Sequence, residues 1–269
     1  EQQAYRPKTL EQIDADLAIA SAIAGRVPVR RVFLADGDAM ALPTKRLKAI
    51  LRRVQAALPD CSRVSSYCLP RNVRGKSVAD LAELRSLGLR TLYVGCESGD
   101  DETLRRVGKG ETQHSSLEAL AKLHEAGLRT SVMILHGLGG VQLSAQHVAG
   151  SAALIRAAPP NYLSTLVVSF PLGEARHAAG FADLPATEGA PAGGFTPLSA
   201  DELLAEQRSL LERLDGLPAG RKVIFRSDHA SNYLPLKGTL PRDRPRLLAE
   251  LDVAQAGGTP LTPEWARGL

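Results

Sequence analysis

Acidic and polar residues recur in this sequence just after short apolar segments, a placement that suits ligand binding better than packing. Asp36-Gly37-Asp38 follows Val32–Ala35 and sets two carboxylates on a glycine turn. The pair suits a cation, either a metal ion or an ammonium group, although Asp is also an ordinary turn former. Ser66 lies near the end of Arg63–Cys68, and Glu97-Ser98 follows Thr91–Cys96. Glu97 comes too early to cap the next helix, whereas Asp100 and Asp101 stand where caps belong. Leu135-His136-Gly137 leads into Leu138-Gly139-Gly140. Glycine has no Cβ, so backbone there can approach a flat or anionic ligand closely. The spacing is neither GxGxxG nor a phosphate-binding loop. Arg226, His229 and Asn232 stand in a segment dense in donors and acceptors after Val223–Phe225. It suits an anionic or polar substrate, or a loop that satisfies its own backbone. No Ser-His-Asp or HExxH arrangement is readable, and no residue set is assigned to a metal.

The elements that must position these residues alternate. Thr9–Ala24 reads as a helix with a capping box, Thr9 to Gln12, and with Leu10, Ile13, Leu17, Ala20 and Ile23 at helical spacing. Further helices are expected over 44–58, 78–87, 115–126, 144–157, 199–214 and 244–255. Strands are expected over 32–35, 63–68, 91–96, 130–135, 163–170 and 223–225. Strand-helix alternation at βαβ spacing implies a parallel sheet with right-handed crossovers, either a barrel or an open doubly wound sheet. In both, ligands sit at the carboxyl ends of the strands, where the polar residues gather. Pro171–Pro197, rich in Gly, Pro and Ala, reads as a long loop, and residues 256–269 as a poorly ordered tail. No composition break marks a second domain: residues 1–255 read as one barrel with a carboxyl-terminal extension.

Composition narrows the class. At 269 residues, 44% hydrophobic and 23% charged, the chain can bury a sizeable core, and a net charge of +4 is too small for a disordered polymer. No apolar run approaches the ~18 residues of a membrane span. The 33 basic and 29 acidic residues are interspersed, which argues against nucleic-acid binding by brute charge. Three cysteines, Cys61, Cys68 and Cys96, form no disulfide framework. They suggest a reducing compartment and a cytoplasmic location. Cys61 and Cys68 flank one extended segment, roughly 20 Å apart at ~3.3 Å per residue, too far to share a site. Cys96 alternates with Glu97, so the two point to opposite faces; Cys68 is the thiol expected nearest the rim.

Three ordered pieces carry a resemblance. They are Val32-Phe33-Leu34-Ala35-Asp36-Gly37-Asp38-Ala39, then Tyr93-Val94-Gly95-Cys96-Glu97-Ser98-Gly99-Asp100-Asp101 with Leu104 and Lys109-Gly110, then Glu125-Ala126-Gly127 with Leu135–Gly140. Together they resemble the radical S-adenosylmethionine (SAM) superfamily, in the group of the methylthiotransferases and the Elongator catalytic subunit. Phe225–Leu236 looks like a late motif of one branch of it. The resemblance implies an α/β fold, a partial (β/α)6 TIM-like barrel of parallel strands whose first strand would lie upstream of Glu1. It implies that Asp36, Gly37 and Asp38 bind the methionyl amino group. Glu97 with Ser98 would contact the ribose or amino group, and Leu135, His136 and Gly137 would lie against adenine. Ser66 is added from its strand end; Arg226, His229 and Asn232 are the substrate candidates.

The superfamily hallmark, CxxxCxxC holding a [4Fe–4S] cluster, does not occur in these residues. Since the chain starts at Glu1 without Met, loss of an upstream segment carrying it is the expectation. The implied function is reductive SAM cleavage to a 5′-deoxyadenosyl radical that abstracts hydrogen from an unknown substrate, with an electron donor as partner. A cluster-free SAM- or nucleotide-binding barrel is the alternative. A metal-dependent aldolase-like barrel using Asp36, Asp38 and His136 is a third option.

Overall fold

Local chemistry sets the element boundaries. In the computed structural model, which describes residues 6–25, 27–170, 173–186 and 191–268, Thr9 caps α1 (Leu10–Ala24) through the expected box with Gln12. Then follow β1 (Arg31–Leu34), α2 (Thr44–Ala57), β2 (Arg63–Cys68), α3 (Arg71–Arg74), α4 (Val78–Ser86), β3 (Leu89–Glu97), α5 (Asp101–Arg106), α6 (Gln113–Glu125) and β4 (Arg129–His136). The chain continues through α7 (Gly140–Ala157), β5 (Tyr162–Val167), α8 (Glu174–Ala178), α9 (Ala200–Glu212), β6 (Val223–Ser227), β7 (Leu236–Leu240) and α10 (Arg244–Gln255). Asp100 accepts a hydrogen bond from Thr103 N at 2.8 Å and caps α5, and Ser199 opens α9 with a second capping box.

The strands form one sheet in the order β1 to β7. β1–β2, β4–β5 and β5–β6 pair parallel, with Phe33 opposite Ser65 and Leu135 opposite Leu166. This is the α/β, mostly parallel architecture that the alternation predicts. β7 is an addition: it returns antiparallel on β6, pairing Phe225 with Gly238. Its five residues, Leu-Lys-Gly-Thr-Leu, carry a central glycine that weakens any strand reading.

Two compact units emerge, one of Glu1–Tyr93 with Lys122–Arg129, the other of Val94–Ala121 with Thr130–Leu269. In the first, Leu47, Ile50, Leu51 and Val54 of α2 are buried, as are Leu81 and Leu84 of α4. In the second, Leu203, Leu204, Leu210 and Leu211 of α9 join Leu247 and Leu251 of α10 in the buried core. The segment 171–197 is not all loop. It contains α8 and a 3-10 turn that buries Phe181 completely against Leu143 and Phe195. The carboxyl-terminal tail is tied down as well, with Thr262 N donating to Tyr233 O and Gly268 N to Ala230 O. No described helix is long and apolar enough to cross a membrane.

Within the second unit, Gly99 and Gly150 bring the turn after β3 against α7. A Cβ on Gly99 would lie 2.3 Å from the Gly150 carbonyl oxygen, whereas a Cβ on Gly75 would meet nothing within 4 Å. Gly99→Ala should therefore cost about 1–3 kcal/mol through overpacking, and Gly75→Ala close to nothing. Urea denaturation of the two variants checks this; equal midpoints contradict it.

Candidate cofactor site

Alternation along the strands decides which candidates face a ligand. In β2, Val64, Ser66 and Cys68 are buried while Tyr67 is exposed. Ser66 donates to Tyr67 O at 2.9 Å and is wholly buried. Its hydroxyl serves the strand end and does not reach the rim. Cys68, the last residue of β2, is equally buried, with its thiol on Leu69 O.

The turn after β1 separates the two aspartates. Asp38 is fully engaged: Oδ1 accepts from Met40 N at 2.8 Å, and Oδ2 accepts from Leu69 N at 2.6 Å and Asn72 Nδ2 at 2.7 Å. It fastens this turn to the end of β2. Asp36 is exposed and stands on left-handed backbone, φ +62, next to Gly37 at φ +136. The cation-binding capacity expected of the pair therefore rests on Asp36. The same unit also presents three rings that composition does not reveal: Phe33, Tyr67 and Tyr93 pack at centroid distances of 4.9, 5.6 and 6.2 Å. Phe33 is 40% and Tyr67 47% exposed.

In the second unit Glu97 ends β3 with φ +65 and makes an ion pair with Lys109. Among the described residues, Asp36 and Glu97 are the two non-glycine residues with left-handed backbone. Such conformations cost about 1–3 kcal/mol and gather at functional sites. Cys96 points the other way, as alternation requires. Burial pushes its thiol up to about 12, against the opposing hydrogen bond with Ser116.

Ser98 and His136 are buried beneath the site. Ser98 Oγ lies 2.8 Å from His147 Nδ1, and His136 Nδ1 donates to Glu206 Oε1 at 3.1 Å. Glu206 also accepts from Gly137 N at 2.8 Å and from Ser144 Oγ. Side chains of α7 and α9 thus hold the turns after β3 and β4 from below. Leu135, on the opposite face of β4, is half-buried, and Gly137 takes φ +79. His136, His147 and Glu206 are the one group among the described residues whose metal-ligand atoms lie within 4.8 Å of one another. Glu206 already has three protein donors, while His136 Nε2 and His147 Nε2 are buried without a hydrogen-bond partner among the described residues. With both Asp38 carboxylate oxygens committed to protein donors, the aldolase-like option loses one of its three ligands.

Beside Gly137, a cavity of about 390 Å3 opens at the carboxyl ends of β4 and β5, lined by Val167, Val168, Leu203, Tyr233 and Arg267 among others. Arg267 lies 3.8 Å from the Tyr233 ring centroid, and Tyr233 OH donates to Glu264 at 2.7 Å. Sequence reasoning missed Glu264 and Arg267 because the tail reads as featureless, and it gave Tyr233 no role of its own within the late motif. Of the late-motif residues, Asn232 is buried and anchors its loop to Thr165 O at 2.9 Å, leaving Oδ1 without a partner. His229 is exposed and turned toward Ser231, and the Arg226 guanidinium returns to Phe225 O.

Burial opposes the charged form of Glu206, yet the hydrogen bond from His136 and the adjacent imidazoles outweigh it and bring its pKa to about 2. A carboxylate depressed in the folded state stabilises above its unfolded pKa, and this is lost as pH falls from the ordinary 4.5 toward 2. Burial lowers His147, so the unfolded chain takes up the proton first and stability starts to fall as pH drops through 6.5. Glu206→Gln should flatten the acid limb of a stability-against-pH curve and lower stability at neutral pH by about 3–5 kcal/mol. An unchanged acid limb contradicts this.

The comparisons with known proteins agree with this geometry. Residues 2–147 match the sequence profile of the Radical SAM superfamily. The heme chaperone HemW of Bacillus subtilis (strain 168) is 22% identical over 135 residues, 50% of this chain and 36% of that protein. The chain therefore spans little more than a third of this relative. Coproporphyrinogen III oxidase (HemN) from Escherichia coli superposes with a TM-score of 0.52 at 18% identity, covering 62% of this chain and 38% of the other. Methylornithine synthase (PylB) gives 0.51 at 16% identity, covering 96% and 77%. The Methanocaldococcus infernus Elp3 with an amino-terminal deletion gives 0.52 at 13% identity, covering 93% and 59%. At these identities the structures share the fold alone. The profile match takes in more than half of the sequence, including the strands that end at Asp36, Glu97 and Gly137, and on that ground the chain belongs to the radical SAM superfamily.

Proposed function

We propose that these residues form the SAM-binding portion of a radical SAM enzyme. The observation that carries the reading is the pair of left-handed acidic residues, Asp36 and Glu97, each at the carboxyl end of a strand. Asp36 is exposed and Glu97 pairs with Lys109; in this reading the Asp36 carboxylate meets a cation of the ligand. Asp36 and the exposed carbonyls of its turn would hold the methionyl ammonium, with Asp38 and Gly37 shaping that turn. Glu97 would take the ribose or the amino group, with Ser98 holding its turn from below. Leu135 and Gly137 would meet adenine beside the 390 Å3 cavity, with His136 fixing the Gly137 turn through Glu206. Arg226, His229 and Asn232 would act on the substrate side through their loop. A soluble electron donor and a cytoplasmic setting complete the reading.

The cysteines present do not fit the cluster. Cys61 and Cys68 flank β2, Cys96 is held protonated by burial, and cluster ligation needs thiolates. In this reading the reductive chemistry depends on cysteines that these 269 residues do not contain. When bound, the cluster would supply the electron that cleaves SAM. This chain's own residues would bind and orient SAM and exclude water from the reactive intermediate. A second reading is a cluster-free barrel that binds SAM or a nucleotide without radical chemistry.

Isothermal titration of the 269-residue chain with SAM should show saturable binding. Asp36→Asn and Glu97→Gln should each weaken it about tenfold, the size of one charge-assisted hydrogen bond. No heat of binding with SAM or any nucleotide would sink both readings. A longer form of the protein with a CxxxCxxC segment, reconstituted anaerobically, should cleave SAM when reduced. A full cluster without cleavage leaves only the second reading.

A further inference from the structure

The opposite ends of the strands gather charge that the SAM reading does not use. Arg31, Arg63 and Arg129 are the first residues of β1, β2 and β4, Arg90 is the second residue of β3, and Arg85 lies in the last turn of α4. All five lie in the first compact unit. With Ser62 and Gly127 they line a cleft of about 420 Å3. Four of the guanidinium-bearing residues are exposed and Arg63 is half-buried. Among the described residues none of the five has a carboxylate within the 4.0 Å of an ion pair, and none donates a side-chain hydrogen bond.

Two further observations mark the cleft. Arg31 and Arg63 are register partners, and like charges directly opposite on a sheet are destabilising. Gly127 stands at φ +73, and a Cβ there would come within 3.2 Å of the Arg85 guanidinium carbon. The missing side chain leaves Arg85 its place at the cleft wall. The fold itself gains nothing from five unpaired cations around one hollow.

We propose that this cleft binds a pyrophosphoryl compound at the amino-terminal ends of β1–β4. Guanidinium forks match phosphate oxygens in bidentate pairs. Orthophosphate has four oxygens and pyrophosphate seven, so the longer anion meets more of the five guanidinium groups. The cleft volume falls in the range of small-ligand sites, about 300–1,000 Å3. The group comes either free, as inorganic pyrophosphate, or on a nucleoside diphosphate.

The test titrates the whole chain with inorganic pyrophosphate, ADP and orthophosphate by calorimetry, at low and high salt. Pyrophosphate should bind at least about tenfold tighter than orthophosphate, and salt should weaken it. Arg63→Gln and Arg129→Gln should each weaken pyrophosphate about tenfold and leave SAM binding unchanged. Since Arg63 is half-buried, Arg31→Gln serves as a second probe; removing one of two facing like charges should leave the unliganded melting temperature equal or higher. ADP binding tighter than pyrophosphate assigns the site to a nucleotide, and equal binding assigns it to the free anion. Pyrophosphate no tighter than orthophosphate, or unaffected by all three substitutions, overturns the proposal. So does an oligonucleotide that binds tighter than ADP and resists displacement by pyrophosphate. These readouts are independent of SAM, so the inference and the proposed function fail separately.

Discussion

Strand alternation is the constraint on which the site depends. A strand points neighbours in sequence to opposite faces; within β2, β3 and β4 consecutive residues are buried on both faces, and the fates part toward the strand ends. Cys96 is buried toward the helices, so Glu97 is left at the rim; His136 is buried, so Leu135 takes the other face. Ser66 is buried where Tyr67 is exposed. Ligand groups at the carboxyl ends therefore come from alternate positions and from the turns where extended backbone breaks. Asp36 and Glu97 sit at two such breaks.

The residues buried beneath the rim hold those breaks in place. Glu206 of α9 gathers His136, Gly137 N and Ser144, and His147 of α7 reaches Ser98. A buried carboxylate with three donors is costly to disturb and stiff while intact. In the other unit, Asp38 plays the corresponding part by bonding Met40 N, Leu69 N and Asn72. In the first unit Asp36 is exposed while Asp38 shapes the turn; in the second Glu97 pairs with Lys109 at the strand end while the buried Glu206 shapes the turn.

Much of this was legible in the sequence, and the losses have physical reasons. The six strands from β1 to β6 and the longer helices follow from period and caps, because Thr9, Asp100 and Ser199 carry their boundary signals locally. What the sequence could not distinguish was Asp36 from Asp38, because partners such as Leu69 and Asn72 are more than 30 residues away. Glu206 carried no signal at all, being one acidic residue on an amphipathic helix. β7 was hidden by Gly238, and the order of the tail depends on Arg267 stacking on Tyr233. The arginines at the strand starts looked interspersed because strand spacing separates in sequence what the sheet sets side by side.

The central claim, that SAM is held at the carboxyl ends of the strands by the turns of Asp36, Glu97 and Gly137, is tested most directly by hydrogen–deuterium exchange with and without SAM. The account predicts slowed exchange concentrated in residues 35–39, 97–100 and 135–139. Protection confined to residues 29–31, 62–64 and 126–129, or unchanged exchange at saturating SAM, would contradict it.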